Sequence, residues 1–111
     1  MQRIVLLIIL LVVSACAITR PYHIQTIKDE AEFYNHKQVI VSGEVIQVLA
    51  LPFIEKGFCK IDDGSDDIWV KPASQVAKHG ERLTIRGTVM TGFSIGNRTF
   101  GIIIVEDEPE E

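Results

Sequence analysis

The feature that most constrains the fold is the apolar run at residues 4–13, which follows the single basic residue Arg3. The uncharged sequence ends at Thr19, so it is shorter than the roughly 20 apolar residues that a membrane-spanning helix needs. A short basic start, an apolar centre and an exit of small residues are the layout of a secretory signal peptide. The run is therefore expected to be a leader, and the folded domain must be sought after it.

The leader ends in Val13-Ser14-Ala15-Cys16, where small residues precede a cysteine. This motif resembles the lipobox of bacterial lipoproteins. The resemblance implies that residues 1–15 are removed as a signal peptide and that Cys16 carries fatty acyl chains, with membrane lipid as its partner. It also implies a lipid-anchored place in the bacterial cell envelope. By resemblance to Gram-negative lipoproteins, Ala17 in place of an Asp after the cysteine favours the outer membrane, facing the periplasm, if the organism has one.

The remaining chain has the length of one small domain. We predict a lipidated tether at residues 16–23, a folded domain at 24–106 and a solvated acidic tail at 107–111. Cys59 is the only other cysteine, so lipidation of Cys16 leaves it without a disulfide partner. A buried, inert thiol is predicted, because free cysteines are often buried and no activating group lies near it in sequence.

The charges argue against nucleic acid as the main partner. The whole chain has 11 Lys and Arg against 15 Asp and Glu, and five of the acids fall within residues 106–111. Without that tail the domain is close to neutral, whereas nucleic-acid binding draws on many cations that neutralise phosphates.

The first predicted element is a helix over residues 26–34, with Thr26 as its N-cap and with Ile27, Ala31 and Tyr34 on one face. Runs rich in Val and Ile then predict five strands. A short helix or loop is expected at 72–79, and Gly43 is interpreted as a bulge or bend in the first strand. The strands are predicted at residues 38–49, 57–62, 68–70, 82–90 and 98–105.

Five strands with these connections predict an all-β domain, a closed five-stranded barrel of the OB-fold type. One short helix would precede the barrel and another would lie between strands three and four. Several glycine-bearing segments strengthen the prediction, because their order resembles that of bacterial OB-fold domains related to the anticodon-binding type, over residues 36–106. One departure is Asp66, where that pattern commonly has a glycine. The matching segments are residues 41–45, 57–64, 68–70, 80–87 and 92–98.

An OB-fold commonly binds its ligand on the outer face of strands two and three. Alternation places Phe58, Lys60 and Trp69 on that face, and two aromatic rings beside a lysine suit a stacked base, a sugar ring or a peptide. The alternative is that Phe58 and Trp69 are cross-strand partners that a loop or the N-terminal segment covers.

Two apolar loops would border the same groove, and they carry Phe53 and Phe93. They could form the lip of a ligand site or a contact patch for another protein, or they could pack on each other. We therefore add Phe53 and Phe93 to Phe58, Lys60 and Trp69 as candidate ligand contacts.

The sequence offers little for catalysis or metal binding. Four aspartates crowd residues 62–67, which either form a plain acidic turn or a weak calcium site, but they lack the EF-hand pattern. His23, His36 and His79 lack the spacing of metal ligands. No catalytic residue, metal site or cofactor is predicted.

The expected function is that of a non-enzymatic binding or protein-interaction module that acts through the barrel groove, with a protein or an oligomeric ligand as partner. Two alternatives remain: binding of single-stranded nucleic acid, and a structural or accessory role in an envelope complex.

Overall fold

A closed five-stranded barrel is the main body of the protein. The structure is a computed structural model and describes residues 21–108, so the predicted signal peptide and Cys16 lie outside the described residues. The strands follow one another around the barrel in the order β1-β2-β3-β5-β4. Only β3 and β5 pair in parallel within this described barrel; the other neighbours are antiparallel. The predicted mainly β fold with five strands is confirmed. The strands are β1 (Gln38–Leu51), β2 (Ile54–Asp62), β3 (Asp67–Lys71), β4 (Arg82–Ile95) and β5 (Arg98–Glu106).

The helical segment before the barrel differs from its prediction. It consists of two short helices, α1 (Ile24–Asp29) and α2 (Ala31–Tyr34), which are separated at Glu30. Thr26 lies inside α1, so its assignment as the N-cap is wrong. The helix begins earlier because its first amides find partners in a distant turn. The Ile24 N–H donates to Asp63 and the Gln25 N–H donates to Ser65.

The helix expected between strands three and four is also wrong. Residues 72–81, all of which the structure describes, form bends and turns. The amides of Ala73 and Ser74 donate to one carboxylate oxygen of Glu106, at 2.7 and 3.1 Å. The amide of Lys78 donates to the Glu81 side chain at 3.2 Å. These hydrogen bonds hold the segment in its bends and turns.

Two predicted loops are instead the ends of long hairpins. Leu51 pairs with Ile54 across the β1–β2 turn, and Ile95 pairs with Arg98 across the β4–β5 turn. Residues 91–95 are therefore strand rather than loop. The β4–β5 hairpin extends well beyond the part of the barrel where β5 pairs with β3.

The barrel interior is filled by branched aliphatic side chains. Ile24 and Ile27 of α1 are fully buried against this core, so α1 closes the end of the barrel next to the β2–β3 turn. Ala77, from the segment that forms no helix, is also part of the core. The other members are Val39, Val41, Val45, Cys59, Ile61, Ile68, Val70, Ile85, Val89 and Ile104.

Gly43 is not the bulge of the first strand. It pairs in regular register with Leu83, and the irregularity lies further on, between Val45 and Gln47. Glycine is needed at position 43 because a Cβ there would lie 2.6 Å from the carbonyl oxygen of Asp62 on β2. Gly43 therefore allows β1 and β2 to approach closely.

Candidate functional site

Three of the candidate contact residues share the outer face of the barrel. On β2, Cys59 and Ile61 belong to the core, so Phe58 and Lys60 point to the opposite face. Trp69 is the Cα partner of Lys60 on β3, and side chains of paired residues lie on the same side of a sheet. Phe58, Lys60 and Trp69 therefore lie on one continuous surface outside the barrel.

This surface is partly covered by the β4–β5 hairpin. The ring of Phe100 on β5 stacks on Phe58, with centroids 4.6 Å apart and an interplanar angle of 25°. Phe93 on β4 is also close to Phe58, at 6.0 Å. As a result Phe58 is only 1% exposed although it is not part of the core inside the barrel. Phe58 is therefore covered, but by the β4–β5 hairpin, and the cross-strand partner of Trp69 is Lys60 rather than Phe58.

The hairpin reaches this face through an irregular part of its ladder. The register shifts between Met90 and Phe93, and Gly101 has a φ of 75°. Bulges bend strands, and a positive φ is readily adopted only by glycine. These two irregularities turn the outer half of the hairpin so that Phe93 and Phe100 can lie over β2.

We refer to Phe58, Trp69, Phe93 and Phe100 as the aromatic cluster. Trp69 joins it through an edge contact with Phe100, with centroids 5.4 Å apart at 83°. Such contacts add about 0.5–1.5 kcal/mol to the burial of the rings. The sequence analysis missed Phe100, and the one signal for it was its place as the only aromatic residue in the fifth strand.

Two cations flank the half-buried ring of Trp69. The Lys60 ammonium lies 4.9 Å from its ring centroid and the Arg98 guanidinium lies 5.8 Å away. Arg98 is also 5.5 Å from the ring of Phe100. Cations within about 6 Å of a ring are attracted by its electron-rich face. Arg98 is not among the candidate contacts named from the sequence.

An open groove runs beside Trp69 on the outer face, and both apolar and charged side chains line it. Lys28 of α1 is one of them, and its ammonium lies 3.3 Å from Asp66 and 3.9 Å from Asp67. The residues that line the groove are Lys28, Lys60, Asp67, Ile68, Trp69, Phe100, Gly101 and Ile102.

Phe53 is not part of this arrangement. It occupies the β1–β2 turn and is 91% exposed, whereas Phe93 lies in the aromatic cluster. The neighbouring Ile54 lines a different depression, together with Lys71 and Pro72. The structure thus brings Phe58, Lys60, Trp69 and Phe93 together and leaves Phe53 apart.

The acidic turn after β2 is held by hydrogen bonds to backbone amides. Asp62 accepts from the N–H of Gly64, and Oδ1 of Asp63 accepts from the N–H groups of Ser65 and Asp66. Burial would raise the pKa of Asp63, but hydrogen bonds from Ser65, Ile24 and Asp66 outweigh it and hold the pKa below its ordinary value. Within residues 21–108, no group of three or more His, Cys, Asp or Glu side chains is placed to hold a metal ion.

Cys59 is a fully buried thiol inside the barrel, as predicted. Burial raises its pKa to about 11, and the negative charges of Glu106 and Glu81 add to the rise. Because the thiolate is the reactive form, this environment keeps the thiol inert.

Comparison of the chain with protein-family models, with curated proteins and with solved structures gives no match. In the part of the chain from residue 21 to 108, none of the helices is long and apolar enough to cross a membrane.

Proposed function

We propose that the protein is a lipid-anchored OB-fold binding module of a bacterial cell envelope, without enzymatic activity. The strand order β1-β2-β3-β5-β4 around a closed barrel supports the OB-fold assignment. The leader that ends in Val13-Ser14-Ala15-Cys16 supports lipid anchoring. The observation that carries the binding role is the half-buried ring of Trp69, which lines the groove and has the cations of Lys60 and Arg98 within about 6 Å.

The groove suits an extended ligand with a flat or apolar group next to a negative charge. Trp69 provides a ring for stacking, and the cations of Lys60 and Arg98 can bind a carboxylate or phosphate of the ligand. A peptide segment of another envelope protein has this chemistry. Because the β4–β5 hairpin already covers Phe58, the ligand contacts would centre on Trp69, Lys60 and Phe100, which line the groove, with Arg98 close to the two rings.

Single-stranded nucleic acid is the second candidate. It is favoured by the same grouping of an aromatic ring with Lys60 and Arg98, since stacking on a ring contributes about 1–3 kcal/mol per base. It is opposed by the charge balance, because Asp67 lines the groove and Lys28 is paired with both Asp66 and Asp67. A third role, as an accessory subunit of an envelope complex, uses the groove in the same way as a protein ligand.

The binding role is tested by capture of partners with the full-length lipidated chain, carrying a C-terminal tag, from detergent-solubilised envelopes. The native chain is compared with Trp69→Ala and with Phe53→Ala, which removes an equally large but separate ring. The proposal expects a defined protein that is recovered with the native chain and with Phe53→Ala, and lost with Trp69→Ala. Equal recovery with all three chains would show that the groove is not the binding site.

Nucleic acid is tested with the native chain and with Phe53→Ala, both of which keep Trp69. Titration with an oligothymidylate should leave the Trp69 fluorescence of the native chain unchanged if the ligand is a protein. Quenching that weakens steeply between about 50 and 200 mM salt would instead support the nucleic-acid alternative. The anchor is tested separately: mass spectrometry of the native product should find residue 16 as the acylated N-terminus.

A further inference from the structure

Three aromatic rings form a continuous patch on the surface where the chain enters the barrel. Tyr34 is at the centre, with Tyr22 at 5.8 Å and Phe33 at 5.1 Å between ring centroids, both in edge-to-face contact. The Lys37 ammonium lies 3.3 Å from the ring centroid of Phe33. We call Tyr22, Phe33, Tyr34 and Lys37 the N-terminal aromatic surface.

The outer part of this surface contributes little to folding. Tyr34 packs against the core, but Tyr22 is 40% exposed and Phe33 is 61% exposed. Phe33 lies on the four-residue helix α2, which has no buried residue. Phe33 differs from the isolated Phe53 because it belongs to a patch with two other rings, and a contiguous exposed apolar patch points to a role at an interface.

The chain itself places this surface near the predicted anchor. The Tyr22 N–H donates to the carbonyl oxygen of Ile40 at 2.7 Å, so Tyr22 is fixed to the barrel. Cys16 precedes Tyr22 by six residues, which span at most about 21 Å when extended. An acylated Cys16 would therefore hold the N-terminal aromatic surface within that distance of the bilayer.

The charges around the surface indicate which kind of bilayer it suits. Lys28 is already paired with Asp66 and Asp67. Lys37 therefore stands against Asp29, Glu30 and Glu32, and the surface is not basic. Attraction to anionic lipid by a basic cluster is therefore not the basis of contact. Aromatic rings with a polar or charged neighbour are the side chains that favour the headgroup region itself.

We propose that the N-terminal aromatic surface docks into the zwitterionic headgroup region of the bilayer that carries the acyl chains, with Phe33 and Tyr22 as the inserted rings. This inference rests on the proposed lipid anchor at Cys16. Docking would orient the barrel on the membrane, with α1 and α2 at the lipid surface. It gives the protein a second contact with the membrane, in addition to the acyl chains.

The test uses the full-length lipidated chain in phosphatidylcholine vesicles and measures its transfer to a second vesicle population. Phe33→Ala is compared with Phe53→Ala, which removes the same ring from the exposed β1–β2 turn. Loss of one partly inserted ring should speed transfer about fivefold for Phe33→Ala. Transfer of Phe53→Ala should match that of the native chain.

A second measurement reports insertion directly. Phe33→Trp and Phe53→Trp are each made in a Trp69→Phe chain, and their fluorescence is followed in vesicles that contain brominated phosphatidylcholine. Docking predicts that the indole at position 33 is quenched by the brominated lipid, while that at position 53 is not.

The outcomes separate the docking surface from the anchor. If the chain fails to sediment with vesicles and carries no acyl group at residue 16, both the anchor and the docking proposal are overturned. Chains that sediment normally but show equal transfer and no quenching at position 33 would overturn docking and leave the anchor standing. If the tryptophan of Phe33→Trp is shielded from an aqueous quencher in native envelopes but not in protein-free vesicles, the surface binds a protein partner. That result would also overturn the proposal.

Discussion

The backbone N–H of Ile24 donates a 2.9 Å hydrogen bond to Oδ2 of Asp63, a residue 39 positions further along the chain. The carboxylate thus serves the first turn of α1 in the way an N-cap side chain does. Its other oxygen accepts from the amides and hydroxyl of its own turn. One side chain therefore joins the helix that closes the barrel to the turn between β2 and β3.

This link predicts a dependence of stability on pH. Hydrogen bonds outweigh the effect of burial and hold the pKa of Asp63 below its ordinary value of 3.8. A carboxyl with a lower pKa in the folded state stabilises the fold above its unfolded pKa and loses that contribution as the pH falls through the folded pKa. The free energy of unfolding should therefore decrease below about pH 4.

Asp63→Asn should remove part of this pH dependence and cost on the order of 1 kcal/mol at pH 7. Urea unfolding at pH 7 and pH 3 measures both effects. Glu55→Gln, at an exposed position on β2, makes the same chemical change and is the control. If Asp63→Asn and Glu55→Gln lose stability equally on acidification, the capping role of Asp63 is wrong.

Phe100 is predicted to hold the β4–β5 hairpin on the outer face of the barrel. Phe100→Ala removes the ring that stacks on Phe58 and contacts Trp69, and should cost about 2–4 kcal/mol. Trp69 should become more exposed, so its emission should shift to longer wavelength and acrylamide should quench it more strongly. Phe53→Ala should change stability by less than about 0.5 kcal/mol, because Phe53 is in water. Unchanged Trp69 emission in Phe100→Ala would contradict the covering role.

Gly43 is predicted to tolerate no side chain. In Gly43→Ala the new Cβ would meet the Asp62 carbonyl oxygen at 2.6 Å, so β1 and β2 must move apart, at a cost of about 1–3 kcal/mol. The control is Ser42→Ala on the same strand, which loses only the exposed 3.1 Å hydrogen bond from Thr84. Thermal unfolding of the two variants gives the comparison. If Gly43→Ala unfolds at the same temperature as the native protein, the close approach of β1 and β2 is refuted.

The strands were predictable because each is a local pattern of Val and Ile. The alternation of Cys59 and Ile61 with Phe58 and Lys60 assigned the two faces of β2 from sequence alone. The missed features all depend on partners far apart in the chain. The start of α1 depends on Asp63, and the turns after β3 are held by Glu106, 32 residues beyond Ser74.

The same reason limited the prediction of the candidate site. Phe93 was assigned to the groove as a loop residue, but it lies on a strand that folds back on the barrel. That return depends on a register shift in β4 and on the positive φ of Gly101, and the sequence shows only the glycine. Phe100 and Arg98 could not be placed beside Trp69 until the direction of the hairpin was known.

Cys59 gives the last prediction, which concerns both reactivity and alkaline stability. In a Cys16→Ser chain, Cys59 is the only thiol, and at pH 8 it should react with a disulfide reagent no faster than the protein unfolds. Its pKa rises on folding from 9.0 to about 11, so the fold favours the protonated thiol. The resulting stabilisation is complete below about pH 9 and is lost as the pH rises towards 11. Cys59→Ala should flatten this alkaline decrease, which urea unfolding between pH 8 and pH 10.5 measures. Rapid labelling of the native chain at pH 8 would show instead that the thiol is accessible and that the barrel opens locally around β2.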